Sequence, residues 1–91
     1  MALIIHFDVK GMDDKKYAEA LRRLEAAGAG APPGRLYHAA YGPKNQLMVV
    51  DIYDTMQSFE AFGKTLVPIL TALGVEAKPE IQEVHNIIRG A

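Results

Sequence analysis

Hydrophobic and polar residues alternate with a period of two at four places along the chain and recur at spacings of three and four at two others, which predicts four strands and two helices. Residues 2–9, ALIIHFDV, set Leu3, Ile5, Phe7 and Val9 on one side and Ile4, His6 and Asp8 on the other. Gly11 turns the chain and Asp13 or Asp14 can cap a helix running to about Ala27, with Tyr17, Leu21 and Leu24 on its buried face. Its outer face carries Glu19, Arg22, Arg23 and Glu25, spaced for ion pairs contributing roughly 0.2–0.5 kcal/mol each.

Residues 28–34, GAGAPPG, follow that helix and precede a strand. A phosphate-cradling glycine motif needs the reverse context, so the segment reads as a shaped loop. The second strand, 35–41, puts Tyr37, Ala39 and Tyr41 on one face and Leu36, His38 and Ala40 on the other. After the Gly42-Pro43-Lys44-Asn45 turn comes a third strand, 47–53, with Met48, Val50 and Ile52 opposed to Leu47, Val49, Asp51 and Tyr53. Thr55 can cap the longest helix, whose buried stripe is Met56, Phe59, Phe62, Leu66, Ile69, Leu70 and Leu73. Pro68 removes the bond to the Lys64 carbonyl and predicts a kink or an early turn, and Gly74 supplies the stop. A loop through Lys78 and Pro79 leads to a last strand at 81–88.

The order strand, helix, strand, strand, helix, strand predicts an α+β, ferredoxin-like βαββαβ fold: a four-stranded antiparallel sheet with both helices on one face. The helix side is expected to hold Leu3, Ile5, Phe7, Tyr37, Ala39, Met48, Val50, Ile52, Val84 and Ile88, with Asn86 among them. Ile4, Leu36, Leu47, Val49, Ile81 and Ile87 then lie on an uncovered face, together with His6, Asp8, His38, Asp51, Tyr53, Glu83 and His85. Apolar surface left bare in this way predicts a homodimer through the sheet face, with the polar groups enclosed between the two copies.

Composition narrows the picture. A chain of 91 residues, 49% hydrophobic, suits one domain over 1–91 whose core is marginal on its own. The lack of cysteine excludes disulfides and thiolate metal sites and fits a reducing compartment. No basic leader precedes the short N-terminal apolar run, which itself carries His6 and Asp8, so a cytoplasmic location without a membrane span is expected. A net charge of −1 with scattered Lys and Arg offers no stripe for nucleic acid.

His38, with His85 or His6, can perform acid–base chemistry or bind a metal through neutral nitrogen; it can equally serve as a hydrogen-bonded histidine at a dimer seam. No HxH or HExxH spacing supports a metal, and neither metal nor cofactor is expected. Asp51, a carboxylate on a central strand, must find a partner: it orients a histidine, bonds a ligand, or closes a seam contact. Tyr53 can turn its hydroxyl toward a ligand or fill one end of the interior. The candidate catalytic residues are His38, Asp51 and His85, and the candidate ligand contacts are His6 and Tyr53.

These residues carry a resemblance. Pro32-Pro33-Gly34 leading to Tyr37-His38, the run Val50-Asp51-Ile52-Tyr53-Asp54-Thr55, Phe59 and Phe62 followed by Leu66-Val67-Pro68, and Val84-His85-Asn86 together resemble the dimeric α+β barrel superfamily. The likeness spans nearly the whole chain and is nearest to small bacterial proteins grouped with antibiotic biosynthesis monooxygenases. Tyr53, Asp54 and Thr55 stand where relatives are expected to carry a tryptophan, an acid and a serine. The resemblance implies a homodimer, and an activity drawn from cofactor-independent oxygenation, isomerisation, haem breakdown or none. The absence of tryptophan counts against haem breakdown. Two functions follow as expectations: a cofactor-independent monooxygenase or isomerase acting on a small aromatic or quinone-like compound, and a non-catalytic ligand-binding or structural module.

Overall fold

A computed structural model describes residues 2–90 of the chain. The elements run β1 (Leu3–Lys10), α1 (Asp14–Ala26), β2 (Arg35–Tyr41), β3 (Met48–Tyr53), α2 (Met56–Ala72) and β4 (Glu76–Glu83). Each helix starts where a side chain can satisfy a first-turn N–H: Asp13 accepts from the Lys16 amide at 2.7 Å and Thr55 from the Ser58 amide at 3.1 Å. Helix α2 continues through Pro68 to Ala72, so the proline does not end it early. On the outer face of α1, Glu19 holds Arg22 at 2.5 Å and Arg23 at 2.7 Å.

The sheet has the order β2-β3-β1-β4 with antiparallel pairing throughout, as the βαββαβ connectivity requires. Residues directly opposite one another across a ladder share a face. Ile5 opposes Asp51, Phe7 opposes Val49 and Leu3 opposes Tyr53, so these six lie together under the helices. The core is built from Ile5, Phe7, Val9, Val49 and Tyr53 of the sheet with Met12, Leu24, Phe62 and Val75 around them. Phe59 of α2 ties the two central strands together, its ring 6.0 Å from that of Phe7 and 5.5 Å from that of Tyr53.

This register corrects the face assignment for β2 and β3. Val49, Asp51 and Tyr53 are buried beneath the helices, whereas Val50, Ile52 and Met48 lie on the open side with Tyr37, Ala39 and Tyr41. Alternation divides a strand into two sets but does not say which set faces inward, and in β3 both sets are rich in apolar residues. The set containing a carboxylate is the buried one because the acid finds partners there. β1 keeps the expected sides, with Ile4, His6 and Asp8 on the open face.

The last strand also differs. β4 spans Glu76–Glu83, five residues before the expected start, and the described residues beyond Glu83 form no further strand. Its partner decides this: β1 pairs from Lys10 opposite Glu76 to Leu3 opposite Glu83, then runs out, leaving one more bond from the Val84 amide to the Ala2 carbonyl at 2.9 Å. Pro79 reads in sequence as loop punctuation, yet it sits opposite Phe7 in an edge strand, where a missing N–H is tolerated. Val84, His85, Asn86, Ile87 and Ile88 therefore do not belong to either sheet face.

Between α1 and β2, the chain turns at Gly34 with φ +83°, a left-handed conformation that only glycine adopts readily. A Cβ there would collide with the side chains of Ser58 and Asp54, while the Gly34 carbonyl accepts from the Asp54 amide at 2.8 Å. Gly34→Ala is expected to lower stability by about 1–2 kcal/mol from the backbone alone, and more from the collision, measured as a drop in the melting midpoint.

Candidate functional site

Sequence reasoning puts His38 and Asp51 on adjacent strands, and the ladder makes them direct neighbours. Asp51 is 2% exposed, and a carboxylate at that depth must accept hydrogen bonds from all sides. It does so twice: His38 Nδ1–H donates to Oδ1 at 2.5 Å and Tyr53 Oη–H donates to Oδ2 at 3.3 Å. Because the carboxylate can only accept, Nδ1 carries the proton, and in the neutral ring Nε2 is left as the acceptor. Tyr17 Oη of α1 lies 2.6 Å from that Nε2, with the phenol and imidazole planes inclined by only 1°. The result is a continuous chain, Tyr17 to His38 to Asp51 to Tyr53, from helix to sheet interior.

Both phenols are held in the protonated state. Burial raises the Tyr17 hydroxyl above its ordinary range, the Asp51 charge adds to the rise, and Arg35 opposes it. The same causes in the same order act more strongly on Tyr53, whose side chain is wholly buried. The hydroxyls are therefore donors at neutral pH, and the basic atom of the chain is His38 Nε2.

Three members of the chain, Tyr17, His38 and Asp51, border a cavity of about 60 Å³ between the sheet and the helices. Apolar walls come from Phe7, Val9, Met12, Leu24, Val49 and Phe62, and the polar inserts are Tyr17, His38, Asp51 and Arg35. A cavity of roughly 150 Å³ takes up benzene, so the resting space holds water-sized guests and a ring enters only if the wall yields. Leu21, 39% exposed at the rim, and the unbranched thioether of Met12 are the adaptable parts of that wall.

The remaining candidates stand elsewhere. Tyr53 reaches Asp51 rather than the cavity and is 0% exposed, so its position suits holding the carboxylate instead of touching a ligand. His6 is on the opposite face of the sheet, sharing a 2.6 Å hydrogen bond with Tyr41. His85 lies past β4 and is exposed. The three histidines are thus not enclosed in one seam, and the His38–Asp51 pair belongs to the interior of a single subunit. Sequence reasoning overlooked Tyr17, which reads as one more apolar-stripe position of α1, and Arg35, which reads as the ordinary first residue of a strand. Among the described residues, no group of three or more His, Cys, Asp or Glu side chains converges as metal ligands do, and no helix is long and apolar enough to cross a membrane.

No protein-family model matches the chain, and no curated protein matches it significantly. Solved structures do. SnoaB, a cofactor-independent oxygenase from Streptomyces nogalater, superposes with a TM-score of 0.62 at 16% identity, over 98% of this chain and 96% of that one. A candidate antibiotic biosynthesis monooxygenase from Deinococcus radiodurans gives 0.64 at 12% identity, over 100% and 99%. A conserved protein from Methanosarcina mazei gives 0.63 at 12% identity, over 90% and 91%. At these identities the similarity establishes a shared ferredoxin-like α+β fold across essentially the full length of both chains, and nothing beyond the fold.

Proposed function

We propose that the protein is a cofactor-independent monooxygenase that removes a proton from a small phenolic or quinol-like compound and lets the resulting anion react with dioxygen. The observation that carries this reading is the Asp51–His38–Tyr17 chain at the wall of an otherwise apolar cavity. The oxygenase activity stated for SnoaB, which shares the fold, supports it. A substrate hydroxyl donates to Tyr17 Oη as the Tyr17 proton moves to His38 Nε2, and Asp51 holds the imidazolium that forms. The phenolate then passes one electron to dioxygen. The radical pair joins at a ring carbon para to the oxygen, and the hydroperoxide loses water with the ring proton to leave a quinone. One phenol and one dioxygen thus become one quinone and one water.

His38 and Asp51 are the catalytic pair in this reading, and Tyr53 positions Asp51. The open sheet face is covered by a second copy of the chain, because Ile4, Val50, Ile52 and Met48 lie there with Tyr37 and Tyr41, 60% and 44% exposed, while both helices occupy the other side. His6 then belongs to the subunit seam, and His85 has no part in the reaction. Such a homodimer fits a cytoplasmic protein acting on a small aromatic compound.

The smallness of the resting cavity favours a second reading, a module that binds a small ligand without converting it. Oxygen-electrode assays on single-ring phenols and hydroquinones separate the two. Uptake by the native protein, reduced by about 10²–10⁴-fold in His38→Gln, supports the oxygenase. A spectral change without oxygen uptake shows the same base acting as an isomerase, and thermal stabilisation without conversion shows binding alone.

A further inference from the structure

The pairing of β2 with β3 breaks its regular step once. Tyr37 opposes Ile52 and His38 opposes Asp51, so Leu36 would be next in line to oppose Tyr53, but Arg35 takes that place. Leu36 is the extra residue of a β-bulge. The consequence inverts ordinary patterning: an apolar side chain is left 49% exposed, and an arginine is turned to the helix side, where it lines the cavity. A sequence that wanted only a filled core would do the opposite, so the bulge is a device for aiming Arg35.

The guanidinium is anchored, and its interactions with Gly30, Phe62 and the Tyr53 hydroxyl leave it without a carboxylate partner. One nitrogen, Nη2, donates to the Gly30 carbonyl at 3.1 Å, and the group lies over the Phe62 ring with Cζ 5.8 Å from its centroid. Among the described residues it makes no ion pair with a carboxylate, Asp51 being engaged by His38 and Tyr53. Its charge nevertheless reaches both phenols, lowering the hydroxyls of Tyr17 and Tyr53 against the effect of burial.

From this geometry we infer that Arg35 makes the cavity an anion site: the ligand is a compact single-ring aryl anion, a phenolate or carboxylate, whose charged oxygen pairs with the guanidinium beside His38. The inference rests on the proton-abstraction reading for its catalytic meaning, since the same arginine would hold the negative charge that His38 creates. It stands apart from that reading for its binding meaning. A planar fork of N–H donors on a largely apolar wall suits a planar oxyanion better than a lysine would.

Benzoate and 4-nitrophenol are the probes, with benzamide and nitrobenzene as uncharged counterparts. Benzoate and the uncharged pair are followed by ligand-observed NMR, and 4-nitrophenol by the colour of its anion. The native protein is expected to bind each anion more tightly than its counterpart and to shift bound nitrophenol toward the coloured form at a pH where the free compound is mostly neutral. Arg35→Met is expected to lose about 10- to 100-fold in anion affinity while binding the uncharged compounds as before, and Arg35→Lys to recover only part of it. His38→Gln, whose oxygen uptake is expected to fall by about 10²–10⁴-fold, still prefers benzoate to benzamide, which distinguishes failure of the base from failure of the anion site. The inference is overturned if the native protein binds none of these anions or does not prefer them to their counterparts. It is equally overturned if Arg35→Met, folded by circular dichroism, retains the preference.

Discussion

Asp51→Asn is expected to cut oxygen uptake by about 10²–10⁴-fold while leaving a folded protein. The argument begins with the two bonds that reach the carboxylate, from His38 Nδ1 at 2.5 Å and from Tyr53 Oη at 3.3 Å. A carboxamide has the same shape but one accepting and one donating end. If its oxygen faces His38, the ring keeps its tautomer but loses the full negative charge that steadies the imidazolium. If its nitrogen faces His38, the ring must accept at Nδ1 and carry its proton on Nε2, where it can no longer take one from Tyr17. Either orientation penalises proton removal, and either can satisfy the buried neighbours by rotating the Tyr53 hydroxyl. Asp51→Leu differs, because it strands the His38 N–H and the Tyr53 O–H inside the protein, at about 1–3 kcal/mol for each. The pair separates catalysis from folding: turnover collapses in both variants, and the melting midpoint falls steeply only in the leucine one. Undiminished uptake in Asp51→Asn would remove this carboxylate from the mechanism.

The second large effect is on assembly. Val50→Lys is expected to turn a dimer into a monomer at micromolar concentration, raising the dissociation constant by about a thousandfold or more. Val50 sits on the open face in a central strand, opposite His6 on one side and Ala39 on the other. In a face-to-face pair its place is near the middle of the seam, where an ammonium group without a partner costs several kcal/mol, about 1.4 kcal/mol for each factor of ten. Sedimentation velocity reads the result directly, and a native chain that already sediments as a monomer would show that the open face is not a subunit contact. Because the His38–Asp51 pair lies under the helices of its own subunit, the monomeric variant should still bind benzoate.

The order of elements, the places where both helices are capped and the need of Asp51 for a partner are all visible in the residues, because each depends on short-range spacing or on the chemistry of one side chain. The side of the sheet that meets the helices is not. Met48, Val50 and Ile52 look more like a core than Val49, Asp51 and Tyr53 do, and what reverses the choice is a set of hydrogen bonds made with residues far along the chain. Tyr17 is hidden for a related reason, since a tyrosine on an apolar stripe gives no sign that its hydroxyl will find His38 twenty-one residues later. Arg35 depends on a one-residue slip at Leu36 that strand periodicity cannot reveal. At the C-terminal end, VHNII has stronger strand propensity than EAKPEIQE, but β1 offers partners only to the latter.

The proline in that less promising stretch has an effect beyond its own strand. β4 closes one end of the sheet, and its outer margin carries Glu76, Lys78 and Glu80 around Pro79, a residue with no N–H to lend to a visiting chain. Alternating charges and an interrupted row of donors make that margin a poor template for another strand. Growth of the sheet from molecule to molecule, the route to fibrils, is disfavoured at that margin.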